Sequence, residues 1–209
     1  DASGGKNLVI HLEHDVPGLS FAVKFGSMPT RSLHDYVSDH GSLVIPAAAK
    51  GNWYILVHGD GLAQAGDFSL TYSESDIALT AATPNMQDAA AELEMSLTGA
   101  GFTDGVQVEL ISAGGSAHAA DSLVIDSFTR LTAVFAAGRL PAGSYDVRVS
   151  RSGSEATLDD AIEMVTGGAP DFHVNMVTPS VMGYHQLATL YVEYGNKGTA
   201  PMPAPLLMI

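Results

Sequence analysis

The sequence predicts an all-β protein made of β-sandwiches in series, with a partial third module at its end. Three observations predict this. Apolar residues recur with a period of two, as half-buried strands require. Turn signals interrupt the apolar runs about every 8–12 residues, a spacing that belongs to sandwiches. No amphipathic helix separates the runs, so α/β units are not expected.

The clearest strands come in chain order. Phe21, Val23 and Phe25 alternate with Ser20, Ala22 and Lys24. Leu93, Met95 and Leu97 alternate with Glu92, Glu94, Ser96 and Thr98. Tyr145, Val147 and Val149 alternate with Asp146, Arg148 and Ser150, and Leu190, Val192 and Tyr194 with Tyr191 and Glu193. Further strands are expected at 7–12, 42–45, 52–57, 67–72, 106–111, 122–126, 130–135 and 172–177. Between them lie Val16-Pro17-Gly18, Gly59-Asp60-Gly61, Gly99-Ala100-Gly101, Gly114-Gly115, Leu140-Pro141-Ala142-Gly143 and Gly195-Asn196. Residues 85–92 follow Pro84 and hold three helix-favouring alanines, but are expected to form a turn or loop before the next strand.

Two breaks divide the chain. Ser73-Glu74-Ser75-Asp76 is polar and follows a finished strand, and Gly167-Gly168-Ala169-Pro170-Asp171 is a Gly/Pro linker. Modules are therefore expected at 1–75, 76–167 and 170–209, the last too short to close a core alone. The apolar ending Pro205-Leu206-Leu207-Met208-Ile209 has no turn after it and is read as continuing into a longer chain.

Composition narrows the function. The chain has 209 residues, 23 acidic against 9 basic, and a formal net charge of −14. Such a surface repels phosphate backbones and anionic membranes, which argues against a nucleic-acid binder. It serves solubility, and it also attracts divalent cations, with calcium the ion that carboxylates and carbonyls suit. There are no cysteines, which excludes disulfides, thiolate metal sites and cysteine nucleophiles. No run approaches the roughly 20 apolar residues of a membrane-spanning helix, so no membrane insertion is expected. Asp1 opens a polar Gly/Ser segment without a signal-peptide pattern.

The order Leu19-Ser20-Phe21-Ala22-Val23-Lys24-Phe25-Gly26-Ser27-Met28-Pro29-Thr30, His34-Asp35-Tyr36, Ile45-Pro46 and Gly51-Asn52-Trp53-Tyr54-Ile55-Leu56-Val57-His58-Gly59 resembles the bacterial pre-peptidase C-terminal (PPC) domain across residues 7–72. That resemblance implies a jelly-roll-like sandwich attached to secreted peptidases or surface proteins, non-catalytic, with some members binding calcium or collagen. Calcium-binding members carry an acidic cluster ahead of the first strand. Here the start is Asp1-Ala2-Ser3-Gly4-Gly5-Lys6, with only Glu13 and Asp15 near, so no metal site carries over.

The second module resembles a TIG (IPT-type) immunoglobulin-like domain. The matching residues are Leu93-Glu94-Met95-Ser96-Leu97-Thr98-Gly99-Ala100-Gly101-Phe102, then Leu140-Pro141-Ala142-Gly143-Ser144-Tyr145-Asp146-Val147-Arg148-Val149, then the closing run 156–165. The Gly-x-Gly-Phe bend needs a residue free to take positive φ, followed by an aromatic that caps the core. Tyr191-Val192-Glu193-Tyr194-Gly195-Asn196-Lys197-Gly198-Thr199-Ala200 is similar to the opening of an immunoglobulin-like repeat of the CARDB kind. These resemblances imply stalk or adhesion modules of an extracellular or cell-surface protein. The expected partners are neighbouring domains of the same polypeptide and an extracellular protein or polysaccharide.

No catalytic residue is assigned. Ser116 in Gly114-Gly115-Ser116-Ala117-His118 lacks the Gly-x-Ser-x-Gly frame of a nucleophile turn and is read as loop. In His11-Leu12-Glu13-His14-Asp15, His11 and Glu13 share a strand face, and zinc enzymes place paired histidines at i, i+4 of a helix instead. These are read as polar strand-end residues. Asp35 and Asp39, with His34 and His40 around Tyr36, admit two readings: a turn in which Asp35 binds backbone amides, or a calcium site using Asp35 or Asp39 with loop carbonyls. Gly59-Asp60-Gly61 and Asp159-Asp160 offer oxygens but match no known cation loop. Trp53 and Tyr54 point to opposite faces, so one enters the core while the other is a candidate for binding sugar or peptide. The function expected is a non-catalytic structural or adhesion segment that presents or docks other domains. The alternative is an accessory module that targets a secreted peptidase or other hydrolase to its substrate.

Overall fold

The structure, a computed structural model, describes residues 2–15, 17–39, 41–59, 66–179, 181, 189–204 and 206. The chain is all-β; among the described residues there is no helix, and so none long and apolar enough to cross a membrane. The expected turns at Val16 and Asp60-Gly61, together with His40 and most of the apolar ending, lie outside the described residues.

The first six strands are β1 (Asn7–His14), β2 (Leu19–Phe25), β3 (Tyr36–Ser38), β4 (Ser42–Ile45), β5 (Trp53–Gly59) and β6 (Phe68–Ser75). They form two three-stranded antiparallel sheets, ordered β4-β1-β6 and β3-β2-β5. The alternation in the sequence becomes burial. Leu8, Ile10 and Leu12 of β1 face Leu19, Phe21 and Val23 of β2, with Ile45 and Ala48 completing the core. Val9 and His11 alternate outward from the same strand.

Nine strands follow: β7 (Ala78–Thr83), β8 (Met86–Asp88), β9 (Leu93–Ala100), β10 (Gln107–Ser112), β11 (Ala117–Ala119), β12 (Ser122–Ser127), β13 (Arg130–Phe135), β14 (Gly143–Arg151) and β15 (Ser154–Val165). Their sheets run β12-β13-β9-β7 and β11-β10-β14-β15-β8. Lettered in chain order with β7 and β8 as two halves of a first strand, these are the A, B, E and D strands against a G, F and C sheet. That is the immunoglobulin strand order, extended by C′ and by the second half of A. A second hallmark is the Tyr145 hydroxyl near the start of β14, which donates to the Pro141 carbonyl at 2.9 Å and ties the strand to the preceding turn. With no cysteine to bridge the sheets, Met95, Leu97, Leu110, Phe135, Val147 and Ile162 hold them by packing alone.

Residues 85–92, expected as turn or loop, contain β8, which pairs in parallel with β15 before the chain turns. The chain leaves the β9 sheet after Thr83 and joins the opposite one at Met86, so this segment is spent crossing between layers. Three residues of ladder are too few to show an alternating pattern. Finally, β16 (Phe172–Val177) and β17 (Tyr191–Asn196) form an antiparallel hairpin. Phe172, Val174, Met176, Val192 and Tyr194 share one of its faces, and all but the half-buried Val192 are exposed.

Candidate functional site

The residues singled out from the sequence are dispersed. Asp35 accepts a hydrogen bond from the Phe25 amide at 2.8 Å and an ion-paired bond from Lys24 Nζ at 3.2 Å. The Phe25 amide, and then Lys24, hold its carboxyl below the usual carboxylate range. Both oxygens thus serve the turn that closes β2. Asp39 is an exposed residue just after β3. Among the described residues no group of three or more His, Asp or Glu side chains converges as a metal ion requires.

Trp53 turns inward against the first core and donates from Nε1 to the Ala49 carbonyl at 3.0 Å. Its ring lies 5.1 Å from Phe25 and 6.2 Å from Tyr36. Tyr54 takes the opposite face and is 37% exposed. His11 and Glu13 lie on the solvent face of β1. Ser116 sits in the turn between β10 and β11, where Ser112 and Ser116 exchange backbone and side-chain hydrogen bonds. His118 packs edge-on against Tyr145. Asp160, at φ +48°, receives the Ser144 hydroxyl and donates its amide to Asp146, which seats the bulge between β14 and β15.

A polar arrangement that no site motif announced lies at the break around Asp76, between the two sandwiches. Ile77 is buried in the second core, and β6 ends at Ser75, so only Asp76 separates one module from the other. Its carbonyl accepts from Asn7 Nδ2 at 3.2 Å and from Arg151 Nη2 at 3.3 Å. Asn7 belongs to β1 and Arg151 to β14, so one oxygen is held from both sides. Asn7 is 1% exposed, and its other polar atom, Oδ1, accepts from the Ala47 amide at 3.1 Å. A buried amide left unpaired would cost a few kcal/mol, so this satisfied one fixes the geometry rather than weakening it.

Arg151 also bonds Thr103, Ser154 Oγ donates to the Asp76 carboxylate at 3.3 Å, and Lys6 pairs with that carboxylate at 3.7 Å. Gly101, at φ +91°, passes so close that a Cβ there would collide with the Asp76 carbonyl and crowd Asn7 Nδ2. The glycine expected from the Gly-x-Gly-Phe bend therefore has a second duty, to let the other module approach.

A similar arrangement joins the hairpin to the second sandwich. The Asp88 amide donates to the Thr199 carbonyl at 2.7 Å, and the Thr199 amide donates to Ala169 at 3.1 Å. A Cβ on Gly168 would fall 2.6 Å from Thr199 Oγ1 and 2.8 Å from Asp88 Cβ. Sequence reasoning saw Gly168 only as linker. In the sequence the first joint shows as the polar break Ser73-Glu74-Ser75-Asp76, while the nearest hint of its bonds is Asn7, a polar residue opening an apolar strand.

No family model matches the chain, and no curated protein matches it. Among solved structures it is similar to the crystal structure of murine CEACAM1b, with 12% identity and a TM-score of 0.26, over 78% of this chain and 94% of that one. The immunoglobulin-like class of the second sandwich rests on its own strand order and tyrosine corner.

Proposed function

We propose that the chain is a non-catalytic structural segment of an extracellular or cell-surface protein, a short stiff rod that holds neighbouring domains apart. In this reading the first sandwich is the PPC-like module, the second the TIG-like module, and the hairpin opens a further immunoglobulin-like repeat. The observation that carries it is the Asp76 joint. A flexible linker would leave the two modules to reorient freely, which is the default for small interfaces. Here the linker is a single residue whose carbonyl is held from both sides, beside a glycine that admits no side chain. A spacer needs stiffness at its joints more than chemistry on its faces.

The test is backbone nitrogen relaxation of the whole chain. The two sandwiches should tumble with one correlation time. Gly101→Ala should split it in two and cost about 2 kcal/mol, since alanine at positive φ is strained and its Cβ has nowhere to go. Two correlation times in the unsubstituted chain would sink the reading.

A further inference from the structure

The second sandwich is entered at one end and left at the other. Ile77, buried in its core, follows Asp76 at the joint, and β7 runs on from there to Thr83. β15 starts at the same end, where the Ser154 hydroxyl reaches the Asp76 carboxylate at 3.3 Å. Its twelve residues finish at Val165, so the chain leaves from the opposite end. Both points lie inside the chain, and residues 77–165 alone set how a pull passes through this module.

The first strand of the module is split between the layers. β7 pairs antiparallel with β9, Ala78 opposite Ala100 and Thr83 opposite Ser96. β8 pairs parallel with β15, Met86 opposite Glu163 and Asp88 opposite Val165. The Glu163 amide donates to the Asn85 carbonyl at 2.9 Å, and the Ala89 amide to the Val165 carbonyl at 2.8 Å. In a parallel ladder one residue bonds both flanking residues of its neighbour, so the Gln87 amide and carbonyl fill the two places between. The Asp88 amide points the other way, to the Thr199 carbonyl at 2.7 Å, as that alternation requires.

Tension along the chain pulls β7 and β8 toward the joint and β15 away from it. The pull runs along the strands, so the bonds of β7 on β9 and of β8 on β15 are all loaded at once. Sliding would also drag Ile77, Leu79, Ala82 and Ala89 off the core they pack against. A pull across a ladder instead opens one rung at a time. β10 and β14 would open in that way, because Gln107 and Ser150 stand opposite each other at one end of their ladder.

We propose that the second sandwich bears tension along the chain, a role that rests on the spacer reading, and that the split strand β7–β8 carries the load. Being fixed in both layers, this strand cannot leave one sheet without shearing from the other. Forced unfolding is governed by the unfolding barrier, so the bonds that must break first set the force whatever the equilibrium stability. A spacer built this way resists extension as well as bending.

The chain has no cysteine, so pairs of cysteine handles can be introduced for single-molecule pulling of the full chain. Ser73→Cys with Thr166→Cys loads the split strand lengthwise, and Gln107→Cys with Ser152→Cys pulls β10 from β14 crosswise; all four positions are exposed. The lengthwise pair should need about twofold more force or higher. Gln87→Pro removes the central amide of the parallel ladder. It should bring the lengthwise force down toward the crosswise one and leave the crosswise force unchanged. Gln87→Ala, which loses only the side-chain bond to the Glu92 carbonyl, should change neither. Equal forces in the two directions overturn the proposal, and so does a Gln87→Pro loss that is the same in both. Equal forces beside a single correlation time would remove the tension role and leave the stiff spacer. Two correlation times beside unequal forces would do the reverse.

Discussion

The two sandwiches share one construction rule and reach different ends with it. In the second, nine strands close a core of eighteen buried residues among those described. In the first, six strands close a core of eight among the described residues. The same alternation of apolar and polar residues served both. The difference lies in how many strands are available to bury apolar side chains. A larger strand set encloses a larger core, and more buried apolar area means more stability.

Core deletions should separate the two most sharply. Phe21→Ala and Phe102→Ala each remove a fully buried ring, at a cost of about 3–5 kcal/mol. Calorimetry should show Phe21→Ala abolishing the folded first sandwich, whose small core has little to spare, while Phe102→Ala lowers the midpoint of the second and leaves it folded. Equal tolerance would erase the contrast. Smaller in effect is Tyr145→Phe, which removes the bond to Pro141 at a cost of about 1 kcal/mol. It should move the transition of the second sandwich alone.

Acid should act on the first sandwich through Asp35 and Glu74. The Ser3 hydroxyl and then the Ser3 amide hold Glu74 below the ordinary carboxylate range, as Phe25 and Lys24 do for Asp35. A carboxyl depressed on folding contributes stability above its unfolded pKa and loses it as pH falls through the folded value. The first sandwich should therefore weaken from about pH 4 downward. Both groups are exposed, so the shift in melting temperature is small. Asp35→Asn should flatten that acid limb, checked by melting curves between pH 2 and pH 6 (a range set by about two units around the carboxylate pKa).

Much of the fold was legible in the residues themselves. Leu93, Met95 and Leu97 alternate with polar neighbours, and a period of two admits only one arrangement against a partner sheet. Gly101 and Phe102 announced their bend because a positive φ and a core aromatic leave recognisable residue types. β8 was not legible, since three residues of parallel ladder carry no pattern of their own. The position of the Asp76 joint was read as a polar break, but its bonds were illegible for another reason. Its bonds run from Asn7 and Arg151, 69 and 75 positions away, to a backbone carbonyl that every residue possesses.

The sequence by itself determined that the chain is all-β and which side chains face inward, because those follow from local period and turn chemistry. Only the tertiary structure decided which strands became neighbours, which lie at the sheet edges, and which bonds hold the modules together. Those depend on main-chain groups identical at every position, so their pairing is chosen by the assembled sheets and not by any one residue's identity.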